Sequence, residues 1–168
     1  MLAPRATALS LPGRFLSKYF SLFVSAILPA SSLSSVLLVD DDSTTNFLNK
    51  LLLTTTMQVT QQVLLAENGQ QALQVLQQIC NEPAASCPPL ILLDLNMPVM
   101  NGRAFLECYA QLPLTQRQGT VVVLLTTSLH EQDRLLAREL PVADFLTKPL
   151  TRAKVDELLA RHFPAVAP

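Results

Sequence analysis

Residues Leu90-Ile91-Leu92-Leu93 form an unbroken aliphatic run between Pro88-Pro89 and Asp94. Four residues are too few for a helix, and a strand with one wet face would alternate apolar with polar side chains. The run therefore predicts a parallel strand buried on both faces, with the proline pair marking its start. Asp94 follows where such a strand leaves its sheet at the carboxyl edge, and open α/β sheets place ligands at that edge. Met97-Pro98 and Asn101-Gly102 predict a tight loop next, with Pro98 fixing its φ and Gly102 free to adopt positive φ.

The same pattern recurs along the chain. Val36-Leu37-Leu38-Val39 ends in Asp40-Asp41-Asp42, and Val63-Leu64-Leu65-Ala66 precedes Glu67-Asn68-Gly69. Val121 to Leu125 ends in Thr126-Thr127-Ser128, and Ala143 to Thr147 stops at Lys148-Pro149. Helical periodicity fills the gaps. Asp42 or Ser43 caps a helix that buries Phe47, Leu48, Leu51 and Leu52, and Thr54-Thr55-Thr56 end it. Gln70 to Cys80 carries an apolar stripe of Ala72, Leu73, Leu76 and Ile79. Ala104 to Leu112 buries Phe105, Leu106 and Tyr109, and Thr115 to Gly119 reads as a loop. Glu131 to Glu139 is a marginal, charged helix. Thr151 caps a last helix with Val155, Leu158 and Leu159 on one face. Five strands alternating with helices predict an α/β fold: a doubly wound, five-stranded parallel sheet with helices on both faces.

At 168 residues, 49% of them apolar and none Trp, the chain suits one domain with an aliphatic core. A net charge of −1 gives no case for nucleic-acid binding. Cys80, Cys87 and Cys108 form no C-x-x-C and read as reduced cysteines of a cytosolic protein, without a zinc site or disulfide framework. No G-x-G-x-x-G or P-loop pattern occurs, so nucleotide-cradling loops are absent. Residues 1–34 carry Arg5, Arg14 and Lys18 without an acid, and Tyr19 to Leu28 is mostly apolar. That outline fits a secretory signal, an amphipathic or disordered extension, or sequence upstream of the true start. The run falls short of the about 20 apolar residues that a membrane-spanning helix needs.

Four strands deliver polar groups to one sheet edge: Asp40 and Asp41, Asp94, Thr126 and Lys148. Clustered carboxylates repel one another unless a cation sits among them, and hard oxygen ligands suit Mg²⁺. A lysine and a hydroxyl beside them are the donors that a phosphoryl group on one carboxylate would need.

Val39-Asp40-Asp41-Asp42, the run from Asp94 to Gly102 with its D-x-x-M-P-x-M-x-G spacing, Leu125-Thr126-Thr127-Ser128 and Phe145-Leu146-Thr147-Lys148-Pro149 together resemble the receiver domain of two-component response regulators. The weaker Glu67-Asn68-Gly69-Gln70-Gln71-Ala72-Leu73 also fits. The resemblance implies a flavodoxin-like sheet of order 2-1-3-4-5 over residues 35–165, preceded by the extension 1–34. It implies that Asp94 is the phosphoacceptor, with Asp40, Asp41, Asp94 and the backbone carbonyl of Asn96 around Mg²⁺. Lys148 would bind one phosphoryl oxygen and Thr126 another, with Phe145 as the switch aromatic. Thr127 and Ser128 depart from many relatives, which leaves phosphodonor access and dephosphorylation speed open.

The resemblance further implies a cytoplasmic response regulator that is a signalling domain and not an enzyme. Most such regulators attach an output domain, and with 34 residues before the receiver and none after Pro168 the expectation is a stand-alone receiver. Its partners would be a sensor histidine kinase or histidine phosphotransfer protein and a downstream protein, with no nucleic acid or membrane. The expected docking face surrounds His130, Phe145 and Thr151. Three other readings compete. A phosphorylation-independent module of receiver shape would be expected to have lost an acidic or lysine residue. A haloacid-dehalogenase-type phosphatase would need an acid at Asn96, which cannot transfer a proton. A secreted binding protein would follow from cleavage near residue 30.

Overall fold

The computed structural model describes residues 32–80, 87–127 and 139–164. Most of the 1–34 extension, Ser128, His130 and all but the last residue of the helix expected over Glu131–Glu139 lie outside them.

Strands β1 (Val36–Val39), β2 (Val63–Ala66), β3 (Leu90–Asp94), β4 (Val121–Thr126) and β5 (Asp144–Thr147) form one sheet. Every pairing is parallel, as the strand pattern predicted, and the order is β2-β1-β3-β4-β5, as the resemblance implied. Among the described residues the α-helices are α1 (Ser43–Leu51), α2 (Gly69–Cys80), α3 (Gly102–Ala110), the one-turn α4 (Leu114–Arg117) and α5 (Arg152–His162).

The period of two along each strand sorts the core into two layers. Val36, Leu38, Leu90, Leu92, Val123 and Leu125 face Leu53 and the Val155, Leu158 and Leu159 stripe of α5. Leu37, Val39, Ile91, Leu93, Val122 and Leu124 face Ala72 and Leu76 of α2 and Phe105, Leu106 and Tyr109 of α3. This two-sided burial is why β1 and β3 carry no polar residue before their ends. The chain runs from β1 outward to β2 and then crosses back to β3. The winding therefore reverses between β1 and β3, which opens a crevice at their carboxyl ends.

Four expectations need correction. The α1 helix turns a different face inward: Asn46 and Asn49 are buried with Leu53, whereas Phe47 is 59% exposed and Leu48 58% exposed. Its start is fixed by Asp42, which accepts from Thr44 N, and by Asn46 Nδ2 donating to the Asp40 carbonyl at 2.7 Å. These bonds set the helix rotation against its own apolar stripe. The three threonines do not end the helix, because a π-helical turn continues over Leu52–Thr56. There Thr54 Oγ1 bonds back to the Lys50 carbonyl at 2.8 Å. Of the Thr115–Gly119 stretch expected as loop, the residues up to Arg117 belong to the single turn α4, Leu114–Arg117.

The fourth correction concerns the cysteines. Cys80 and Cys87, expected to be reduced, are joined as a disulfide, and Cys108 alone is free among the described residues. The end of α2 comes close to the residues before β3, so the two Cα atoms lie 5.0 Å apart, within disulfide reach.

Candidate functional site

The site is built on the ends of β1, β3, β4 and β5. Asp40 is the first residue beyond β1, and its N–H still donates to the Ala66 carbonyl at 3.0 Å, so sheet pairing fixes it. Its Oδ1 accepts from Asp42 N at 3.0 Å. Asp41, between them, is exposed at the mouth of the crevice. Asp94 is the last residue of β3 and is 7% exposed. One carboxylate oxygen from each of Asp40, Asp41 and Asp94 lies within 4.8 Å of the others. An all-oxygen, acidic set of this kind fits Mg²⁺.

Lys148 closes the cluster. Its Nζ stands 2.7 Å from Asp40 Oδ2 and 3.2 Å from Asp94 Oδ1. Burial pushes the Asp94 carboxyl above the usual range, and the adjacent ammonium offsets only part of that effect. Burial pulls the Lys148 ammonium down, but its hydrogen bond and attraction to Asp40, with help from Asp94, hold it above its ordinary value. The lysine is therefore a fixed cation between two buried carboxylates. Its backbone N–H donates to the Thr126 carbonyl at 2.7 Å, which ties the β5 end to the β4 end.

Thr126 is the buried last residue of β4. Phe145 is half-buried in β5, opposite Leu124, and packs on the layer containing α2 and α3. Asn96 lies exposed two residues beyond Asp94. Thus the side chains of Asp40, Asp41, Asp94 and Lys148 come together, with Thr126 beside them at the sheet edge.

The loop after Asp94 is held by close backbone contact. Gly102 N donates to the Leu95 carbonyl at 3.0 Å, and Asn101 caps α3 by accepting from Ala104 N at 2.9 Å. Positive φ falls on Val99, at 67°, and not on Gly102. Gly102 is required for space instead: a Cβ there would lie 2.5 Å from the Asp94 carbonyl oxygen. Gly69 has a comparable reason. A Cβ on it would meet Met100 Cγ and Phe105 Cβ at 2.8 Å. Its N–H donates to the Met100 carbonyl at 2.9 Å, which moors the loop to α2.

Two contributors had no sequence signal. Asn46 looks like an ordinary helix residue but bonds the Asp40 backbone. Lys154, apparently a surface lysine of α5, bonds the backbone on both sides of Lys148. A groove of about 570 Å³ runs beside the site between α1 and residues Lys148, Pro149 and Leu150.

Residues 36–160 match the family model described as the response regulator receiver domain. Among curated relatives, Response regulator Rcp1 of Synechocystis sp. is 38% identical over 90 residues, which cover 54% of this chain and 60% of that protein. Signal transduction histidine-protein kinase BarA of Escherichia coli is 29% identical over 106 residues, covering 63% of this chain and 11% of that one. The chain therefore spans less than two thirds of either relative. A crystal structure of a two-component response regulator from Cytophaga hutchinsonii superimposes with a TM-score of 0.71 at 27% identity, covering 80% of this chain and 99% of that one.

Proposed function

The chain belongs to the response regulator receiver domain family, and from that premise we propose that it is a phosphorylation-switched signalling domain whose acceptor is Asp94. The observation that carries this reading is Lys148 Nζ, held 2.7 Å from Asp40 and 3.2 Å from Asp94 beside the acidic cluster. A carboxylate oxygen of Asp94 forms the new P–O bond while the donor's P–N bond, if the donor is a phosphohistidine, breaks and its imidazole departs. The Lys148 ammonium neutralises one phosphoryl oxygen, and the Thr126 hydroxyl donates to another. Asp40, Asp41, Asp94 and the Asn96 carbonyl would hold Mg²⁺, which supplies charge neutralisation on the phosphoryl group when bound.

The added charge of about −1.5 to −2 at the strand tip is the switching event. Thr126 and Lys148 reorganise around the new oxygens, and Phe145 on the neighbouring strand follows Thr126. The donor is a sensor histidine kinase or a histidine phosphotransfer protein in the cytoplasm. Exposed Leu48 and Leu51 line the groove at Lys148, and with exposed Phe47 on the same helix they are the surface on which the donor sits. A downstream protein reads the switched face. Residues 35–165 form the receiver unit after the 1–34 extension. No helix among the described residues is long and apolar enough to cross a membrane.

Borohydride reduction after treatment with acetyl phosphate and Mg²⁺ tests the acceptor assignment, since it converts an aspartyl phosphate to homoserine. Peptide mapping is expected to find homoserine at position 94. Homoserine at position 40 or 41 would contradict the reading.

A further inference from the structure

The first turn of α5 breaks an ordinary rule of helix starts. Thr151 is the cap, its Oγ1 accepting from Lys154 N at 3.4 Å. The third helical position opposite such a cap favours Glu or Gln, which bonds back to the cap and suits the positive helix end. This helix instead has no acid in its first turn and places Arg152 and Lys154 there. A cation at that point is locally unfavourable, so its placement asks what the side chain does elsewhere.

Both cations reach backbone carbonyls outside the helix. Arg152 Nη2 donates to the Thr56 carbonyl at 2.7 Å, where the π-helical turn ends. Half-buried Lys154 sends its Nζ to the carbonyl of Thr147 at 2.6 Å and to that of Pro149 at 2.9 Å. These two carbonyls flank Lys148, whose own N–H is held by Thr126 and whose ammonium is shared by Asp40 and Asp94. The backbone carrying Lys148 is thus pinned from β4 on one side and from Lys154 on the other.

We propose that Lys154 is a positioning residue for phosphoryl transfer, acting through Lys148 by clamping the Thr147 and Pro149 carbonyls on either side of it. The proposal rests on the assignment of Asp94 as acceptor. Lys154 touches neither the acceptor nor the phosphoryl group. Its effect is to keep the Lys148 ammonium where charge develops during transfer, and small misplacements of such groups are costly.

The test is single-turnover labelling by acetyl phosphate with Mg²⁺ across donor concentrations, read by intact mass, for wild type, Lys154→Met and Lys154→Arg. Methionine keeps the aliphatic stem and removes the donor; arginine restores a cationic donor. The maximum rate of Lys154→Met is expected to fall about tenfold, with little change in half-saturating donor concentration. Lys154→Arg is expected to recover most of the loss. Hydrogen exchange at the Lys148 amide, read without any phosphodonor, is expected to quicken in Lys154→Met while the melting temperature holds. A Lys154→Met protein labelled at the wild-type rate would overturn this proposal alone. A loss that follows reduced melting temperature and is not recovered by arginine would also overturn it, as would unchanged exchange at Lys148. An unlabelled wild type would instead overturn the acceptor assignment, and this proposal with it.

Discussion

Gly102 lies against the backbone of Asp94, so closely that a Cβ on Gly102 would stand 2.5 Å from the Asp94 carbonyl oxygen and 2.9 Å from Leu95 Cα. Both obstacles are backbone atoms, which cannot rotate away. Gly102→Ala must therefore move either α3 or the end of β3. Overpacking of this kind costs about 1–3 kcal/mol, and Asp94 shifts with its peptide. Urea denaturation is expected to show the lower midpoint, and acetyl phosphate labelling a slower rate. Wild-type values of both would remove the steric account of this glycine.

Val99 stores strain of a different kind. A β-branched residue at φ 67° is in the left-handed region, and this side chain is 81% exposed, so packing offers little in return. Asn tolerates that conformation far better. Val99→Asn is expected to stabilise the protein by about 1 kcal/mol, measured by the same denaturation experiment. A destabilised variant would show that Val99 makes a contribution the backbone angle does not capture.

Asp94 sets a pH dependence. Burial raises its carboxyl above the usual range, so the fold favours the protonated form. The contribution of Asp94 is therefore fully present below its unfolded pKa of about 3.9 and is lost as pH rises through the higher folded value. Asp94→Asn removes that loss while Lys148 keeps Asp40 as a partner. Without divalent cations, the variant is expected to melt above wild type at neutral pH, and the gap should close in acid. A gap that widened in acid would reverse the assigned direction.

Asp144 ties the start of β5 to the end of α5. Its Oδ2 faces Arg161 Nη1 at 2.7 Å and His162 Nε2 at 3.1 Å, while Oδ1 accepts from Phe145 N at 2.8 Å. Asp144→Ala breaks all three contacts at a side chain only 13% exposed. A loss of about 1–3 kcal/mol is expected, seen as a lower thermal midpoint. An unchanged midpoint would mean that these contacts contribute nothing net.

How far the chain could be read from its residues depended on what each residue type encodes. The five strands were legible because two-sided burial leaves a short apolar run, as at Leu90 to Leu93, that few other environments tolerate. Asp40, Asp94 and Lys148 were legible because each sits one step from such a run. The rotation of α1 was not, since the buried Asn46 is chosen by one hydrogen bond to a backbone carbonyl that no side-chain pattern records. The role of Gly102 was misassigned for a related reason. Positive φ and close approach both demand glycine, and only the geometry separates them. Lys154 was silent because its partners are carbonyls, which every residue possesses. The Cys80–Cys87 bond depends on the end of α2 lying close to the residues before β3, and spacing alone does not report it.

The most direct measurement is intact mass of the purified protein after acetyl phosphate treatment, with and without Mg²⁺, beside Asp94→Asn. One added phosphoryl group that requires Mg²⁺ and is absent from the variant is the predicted result. Labelling that persists in Asp94→Asn, or no labelling where another receiver domain is modified under the same conditions, would contradict the central claim.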